Sequence, residues 1–136
     1  MERSAIDEVV RQHVVIEQWL SGSDRAAFDA FVAALGDEFA IVTPDGETVS
    51  KAALVDGFAR AFGASPGLKI EVRQARTIAT SAQVVVVRYE EWQSMCEHPN
   101  QRVSTAVFTP RDSAPLGWAW TALHECWLEL DRAPNQ

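Results

Sequence analysis

Val84-Val85-Val86-Val87-Arg88-Tyr89-Glu90-Glu91-Trp92-Gln93 is the stretch that decides the fold class. Four β-branched residues in a row suit a pleated strand and crowd the turns of a helix. The valines are apolar on both faces, so both sides of this strand call for cover. Beyond them, Tyr89, Glu91 and Gln93 fall on one face, and Arg88, Glu90 and Trp92 on the other. One of the two glutamates must point inward where the sheet is covered, and a single bulge would exchange them. Arg88 and Arg102 are the available cationic partners.

Working outward, the neighbouring segments read the same way. Leu68, Ile70 and Val72 alternate with Lys69, Glu71 and Arg73, the period of a half-buried strand. Pro99-Asn100 marks a turn, residues 102–109 a further strand, 110–117 a loop, and 117–130 a last long strand. Upstream the period changes. Residues 4–20 carry Ile6, Val9, Val10, His13, Val14, Ile16 and Leu20 at helical spacing, with Gly22 placed to cap the end. A second helix is expected over 24–35, capped by Ser23 and ended by Gly36. A short strand follows at 38–43, then the Pro44-Asp45-Gly46 turn and a third helix over 51–62. Three N-terminal helices packed on an antiparallel sheet make an α+β domain. It spans residues 1–131, with 132–136 a polar tail expected to fray.

Composition narrows the function classes. A chain of 136 residues suits one domain, and 47% apolar content lets it build a core without disulfide or metal. A net charge of -7 disfavours nucleic acid and anionic membrane surfaces as partners. No segment approaches the length of a membrane span, and the N-terminus lacks a basic start before an apolar run, so a cytoplasmic location is expected. Cys96 and Cys126 are then expected as free thiols. Three helices cover one face of the sheet only, which motivates a homodimer through the outer face.

Helix 1 carries the most informative polar residues. At 100° per residue with Ile6 at zero, Leu20, His13, Glu17 and Val10 all fall within about 40° of it. His13 and Glu17 thus stand in the apolar stripe, four residues apart. They either satisfy each other as a structural pair or line a pocket. On the last strand, alternation puts His124 on the face of Trp118, Trp120 and Cys126, and Glu125 opposite. His124 is there either a satisfied core histidine or a pocket base. Trp118 and Trp120 are candidates for a pocket wall. Tyr89, Glu90 and Arg102 complete the candidate ligand contacts. Cys96 and His98 are too sparse for a zinc site, and no phosphate loop, dinucleotide fingerprint or nucleophile elbow occurs. Neither metal nor cofactor is expected.

The element order, the Trp19-Leu20-x-Gly22 helix end, Phe39 with Pro44-x-Gly46, Tyr89-Glu90-Glu91-Trp92-Gln93 and Leu123-His124-Glu125-x-Trp127 together carry a resemblance. The chain resembles the SnoaL-like and ketosteroid-isomerase-like branch of the nuclear transport factor 2-like (NTF2-like, cystatin-like) superfamily, in its functionally unassigned subgroup. The resemblance implies a cone-shaped domain, a curved sheet around a helix, an internal apolar cavity and dimers through the outer sheet face. Family enzymes are isomerases, dehydratases and cyclases that use an Asp, Tyr or His without a cofactor. The isomerase's paired tyrosine and aspartates have no counterpart here: Tyr89 is the only tyrosine, and ketosteroid isomerisation is not carried over. Three functions stay open. One is binding of a small apolar or carbonyl-containing ligand. A second is cofactor-free acid/base catalysis, in which His124 or His13 moves a proton and Arg102 or Tyr89 steadies an enolate. The third is a dimeric association module.

Overall fold

A computed structural model describes residues 4–129. The elements run α1 (Ala5–Ser21), α2 (Ala27–Ala33), β1 (Leu35–Val42), β2 (Thr48–Ser50), α3 (Lys51–Ala59), β3 (Lys69–Thr80), β4 (Val85–Ser94), β5 (Asn100–Pro110) and β6 (Trp118–Trp127). The six strands form one sheet in the order β2-β1-β6-β5-β4-β3. The α+β class therefore stands. The expected tail, 132–136, lies outside the described residues.

Helix α1 starts on a capping box: Ser4 Oγ accepts from Asp7 N at 3.1 Å and Asp7 Oδ2 from Ser4 N at 3.3 Å. It stops at Gly22, whose φ of 83° a side chain would strain, and whose added Cβ would come within 3.1 Å of Gly63 Cα. That close approach brings Gly63 N to Trp19 O and Ser65 N to Leu20 O, tying the chain after α3 to the end of α1.

Four differences from the sequence reading matter for the site. First, only two helices precede the sheet: the third follows β1, as the sequence order has it, but also an added strand β2, and β1 runs parallel to β6. Alternation identifies strands but carries no direction of pairing. Second, α2 is short, because Asp24 Oδ1 accepts from Ala26 N and makes a turn of what would be its first turn. Leu35 and Gly36 then belong to β1. Gly36 is not a helix stop; its missing Cβ leaves room for the Trp120 carbonyl, which would lie 2.9 Å away. Third, α1 is rotated about its axis. Ala5, Glu8, Val9, Gln12 and Trp19 are buried, while Val10 and Val14 are 47% and 49% exposed. Fourth, β6 has a bulge: Val107 pairs with Ala122 but Phe108 pairs with Trp120, so Thr121 is an extra residue. From that point the inward and outward positions of β6 are exchanged.

The core lies between the helices and the inner sheet face. Val9 and Trp19 of α1, Phe31 of α2, Leu35 and Phe39 of β1, Val87 and Tyr89 of β4, and Phe108 and Trp120 are its buried members. Aromatic contacts lock the helices together: Phe31 stacks on Phe58 at 4.1 Å between centroids, and Trp19 meets Phe62 edge-on at 4.6 Å.

Candidate functional site

Packing on the inner face is incomplete at one place, and there a cavity of about 180 Å³ opens. Most of its wall is apolar: Ile16 and Leu20 from α1, Phe31 from α2, Leu54 and Phe58 from α3, Leu35, Phe39 and Ile41 from β1, Trp120 and Leu123 from β6. The remaining wall is Gln12, His13, Glu91, Arg102 and Glu125. Small-molecule sites commonly join an apolar wall with a few placed polar groups in this way.

Strand register sets these groups side by side. Glu91 of β4 pairs with Arg102 of β5, and Ser104 of β5 pairs with Glu125 of β6. Arg102 Nη1 donates to Glu125 Oε1 at 3.1 Å and Nη2 donates to Asn100 Oδ1 at 2.8 Å, while the guanidinium lies 4.9 Å from the Trp127 ring. Ser104 Oγ approaches Glu125 Oε2 at 3.4 Å. His13 reaches across from α1: its Nε2 lies 3.0 Å from Glu91 Oε1 and its Nδ1 lies 2.7 Å from Val9 O. Gln93 Nε2 donates to the other Glu91 oxygen at 2.6 Å.

Both ring nitrogens of His13 thus face acceptors, which only the doubly protonated ring can satisfy. Burial alone would lower its pKa, but the Glu91 carboxylate outweighs burial and holds it above the ordinary value. Burial alone would raise Glu91. The charge and hydrogen bond of His13, with Arg102 beyond, bring it down to about 2. Glu125 moves the other way, since burial and the charge on Glu91 raise it and Arg102 offsets only part of that. The cavity therefore holds one locked ion pair and one carboxyl poised to take a proton. Tyr89, fully buried, meets the His13 ring edge-on at 5.2 Å. Its hydroxyl lies near Ser104 without an aligned hydrogen bond, and burial with two nearby carboxylates pushes its pKa well up.

The structure divides the expected site residues into two groups. His13, Arg102 and Trp120 line the cavity, and Tyr89 backs it. Glu17 does not: its Oε1 accepts from Ile70 N at 2.7 Å and anchors the start of β3. It pairs with a backbone amide rather than with His13, because α1 is rotated. Glu90 faces outward and accepts from Trp92 Nε1 at 2.9 Å; Glu91 is the inward one. Trp118 does not line this cavity but borders a separate surface groove with Val85 and Leu116. His124 stands exposed on the outer sheet face beside Arg88, Thr105 and Cys126. The bulge at Thr121 put it there and turned Glu125 inward in its place.

Buried polar groups that the sequence pattern does not reveal include Glu125, Glu8 and Gln12. Simple alternation puts Glu125 on the outer face. Gln12 Nε2 donates to Phe31 O at 3.1 Å. Glu8, fully buried, receives two bonds from Arg11 at 2.9 Å and one from Trp120 Nε1 at 2.8 Å. A signal for Glu8 did exist, since Arg11 lies one helical turn away, the spacing of an ion pair. Among the described residues, no group of three or more His, Cys, Asp or Glu side chains is placed to hold a metal. No described helix is long and apolar enough to cross a membrane. Cys96 and Cys126 are both unbridged.

Comparison with known proteins places the chain. The family model for the sucrose-6-phosphate phosphohydrolase C-terminal domain matches residues 5–129. An NTF2-like protein of unknown function from Pseudomonas aeruginosa is 32% identical, with a TM-score of 0.84 over 92% of this chain and 98% of that one. More distant structures share the fold. The calcium/calmodulin-dependent kinase II hub homology domain of a Chlamydomonas alga is 16% identical, with a TM-score of 0.67 over 93% of this chain and 100% of that one. An uncharacterised cystatin-like protein from Caulobacter vibrioides is 11% identical, with a TM-score of 0.66 over 93% and 89%. A search of curated proteins finds no match.

Proposed function

We propose that this chain, which belongs to the NTF2-like family of sucrose-6-phosphate phosphohydrolase C-terminal domains, binds a small, mostly apolar ligand in the cavity beneath α1. One observation carries the reading: an apolar wall converges on four ionisable groups gathered together, His13, Glu91, Arg102 and Glu125. Ionisable side chains inside an apolar wall are costly to the fold unless paired, and their clustering in a cleft is a mark of function. The ligand is apolar over most of its surface and polar at one end, in keeping with the SnoaL-like resemblance. Proton transfer at such a ligand, the alternative reading, would fall to Glu125, because both nitrogens of His13 are engaged and His124 stands outside.

The test is a thermal-shift screen of small apolar carbonyl and aromatic compounds, with a cavity-filling Leu54→Trp variant in parallel. A ligand at 100 times its Kd adds about 2.7 kcal/mol to stability. A compound that raises the midpoint of the native chain by several degrees, but not that of the variant, supports the reading. A folded protein that nothing shifts counts against it.

Self-association is a second reading with its own observation. On the outer face, Val86, Val107 and Ala122 line up across three strands by register, without charge. Hub and association domains among the more distant structures are consistent with assembly. Light scattering is expected to give a dimer mass, and Val107→Lys to return it to the monomer. A monomer mass for the native chain removes this reading.

A further inference from the structure

We propose that the polar end of the cavity takes the charged group of a small organic anion, a carboxylate or sulfonate on an apolar body, and that Glu125 binds a proton as the anion enters. This inference rests on the cavity reading above and names the chemistry of its ligand.

His13 and Glu91 hold each other at 3.0 Å and cancel. What remains is Arg102 and Glu125, joined by a single hydrogen bond at 3.1 Å. Bidentate geometry, which makes an arginine-carboxylate pair strong, is absent here. The guanidinium instead has a buried Nε with no partner among the described residues. Its orientation is fixed without Glu125, by Asn100 Oδ1 on Nη2 and by the Trp127 ring. It is therefore a pre-aimed cation in the cavity wall with donor capacity left over. An acceptor bearing negative charge satisfies it better than a neutral carbonyl.

Glu125 supplies the coupling. It is 4% exposed and faces Glu91 and Tyr89 of β4, Arg102 and Ser104 of β5, and His13 of α1. The parts of the wall formed by β1, α2 and α3 are apolar. Its ionised form leans mainly on Arg102. An anion that takes over that guanidinium leaves Glu125 beside two negative charges, and a proton from solvent relieves the repulsion. Burial and the charge on Glu91 already raise Glu125 from its ordinary value, which favours the same step. With the proton taken up, the cavity's net charge stays at zero. An acidic chain thereby holds an anion without burying excess charge.

Calorimetric titration with three matched probes tests this between about pH 5.5 and 8, where the sulfonate stays charged. The probes are phenylmethanesulfonate, phenylacetate and phenylacetamide. The proposal expects both anions to bind more tightly than the amide. Sulfonate Kd should rise with pH, approaching about tenfold per unit for one linked proton. The heat should vary with the buffer's ionisation enthalpy, because binding takes up a proton. Glu125→Gln should flatten that pH dependence while binding persists. Arg102→Met should lose the anions and keep the amide, and Arg102→Lys should retain part of the anion affinity. An amide that binds as well as the sulfonate, or anions indifferent to Arg102→Met, overturns the anion proposal and leaves the cavity reading standing. Sulfonate affinity that ignores pH in the native chain overturns the role of Glu125. If none of the three binds to the folded protein, the cavity reading falls and takes this inference with it.

Discussion

The two faces of β4, β5 and β6 are built from alternate residues of the same strands, yet they treat charge in opposite ways. Inside, Glu91 and Glu125 are about 5% exposed, and each ionised group has a named partner within about 3 Å. Outside, Arg88 and His124 stand largely in solvent. His13 and His124 make the contrast sharpest. One is held by two acceptors in the core, and the other borders a shallow groove with Cys126. Chemical type is thus no guide to role here; face is. A lone bulge residue, Thr121, decides the face for everything after it on β6.

The largest effect that could break this comparison is loss of one partner from the buried pair. His13→Leu should destabilise the fold by about 3–5 kcal/mol, because Glu91 is left charged and unpaired. Urea denaturation measures it. The His13→Leu, Glu91→Leu double variant should recover much of the loss, since the pair as a whole is a poor source of stability. A double variant as unstable as the sum of its parts would contradict the pairing. Trp120→Phe comes next. It removes the indole donor to Glu8 while Arg11 remains, and should cost about 1–3 kcal/mol.

Urea stability against pH sharpens the same contrast. Glu91 titrates at about 2 in the fold, below its ordinary 4.5. Its contribution is whole above about pH 4.5 and is lost as pH falls toward 2. His13 is raised above 6.5, so its contribution is whole below that and is lost as pH rises through the folded value. Glu125 is raised as well, and its contribution fades as pH rises from about 4.5 through its folded value. Glu125→Gln should remove that last slope and leave the other two. The smallest effect is expected outside: His124→Ala should shift stability by no more than about 0.5 kcal/mol and leave ligand binding intact.

The sequence made the element types legible because periodicity reports them directly. The β4 run, the three helices and the cap at Gly22 follow from local chemistry. What it hid were the places where tertiary contact overrides local pattern. Gly36 looks like a helix stop, but it serves the approach of β1 to Trp120. The apolar stripe of α1 centres on Ile6 and takes in Val10, which is 47% exposed, whereas the buried face includes Glu8 and Gln12, which the core pays for with hydrogen bonds. Of the site, His13, Arg102 and Trp120 could be picked out as polar or aromatic residues in apolar patterns. Glu125 could not, because alternation with no bulge places it outside. Glu91 was one of two equal choices until register fixed it opposite Arg102.

The inner cluster, not the outer histidine, is the site proposed for the ligand. Nitrogen-15 NMR of the imidazole side chains, recorded near neutral pH with and without phenylacetate and phenylacetamide, tests it most directly. His13 should carry protons on both ring nitrogens, and its signals should move when a probe binds, while those of His124 stay still. A singly protonated His13 that ignores both probes, beside a His124 that responds, would contradict it.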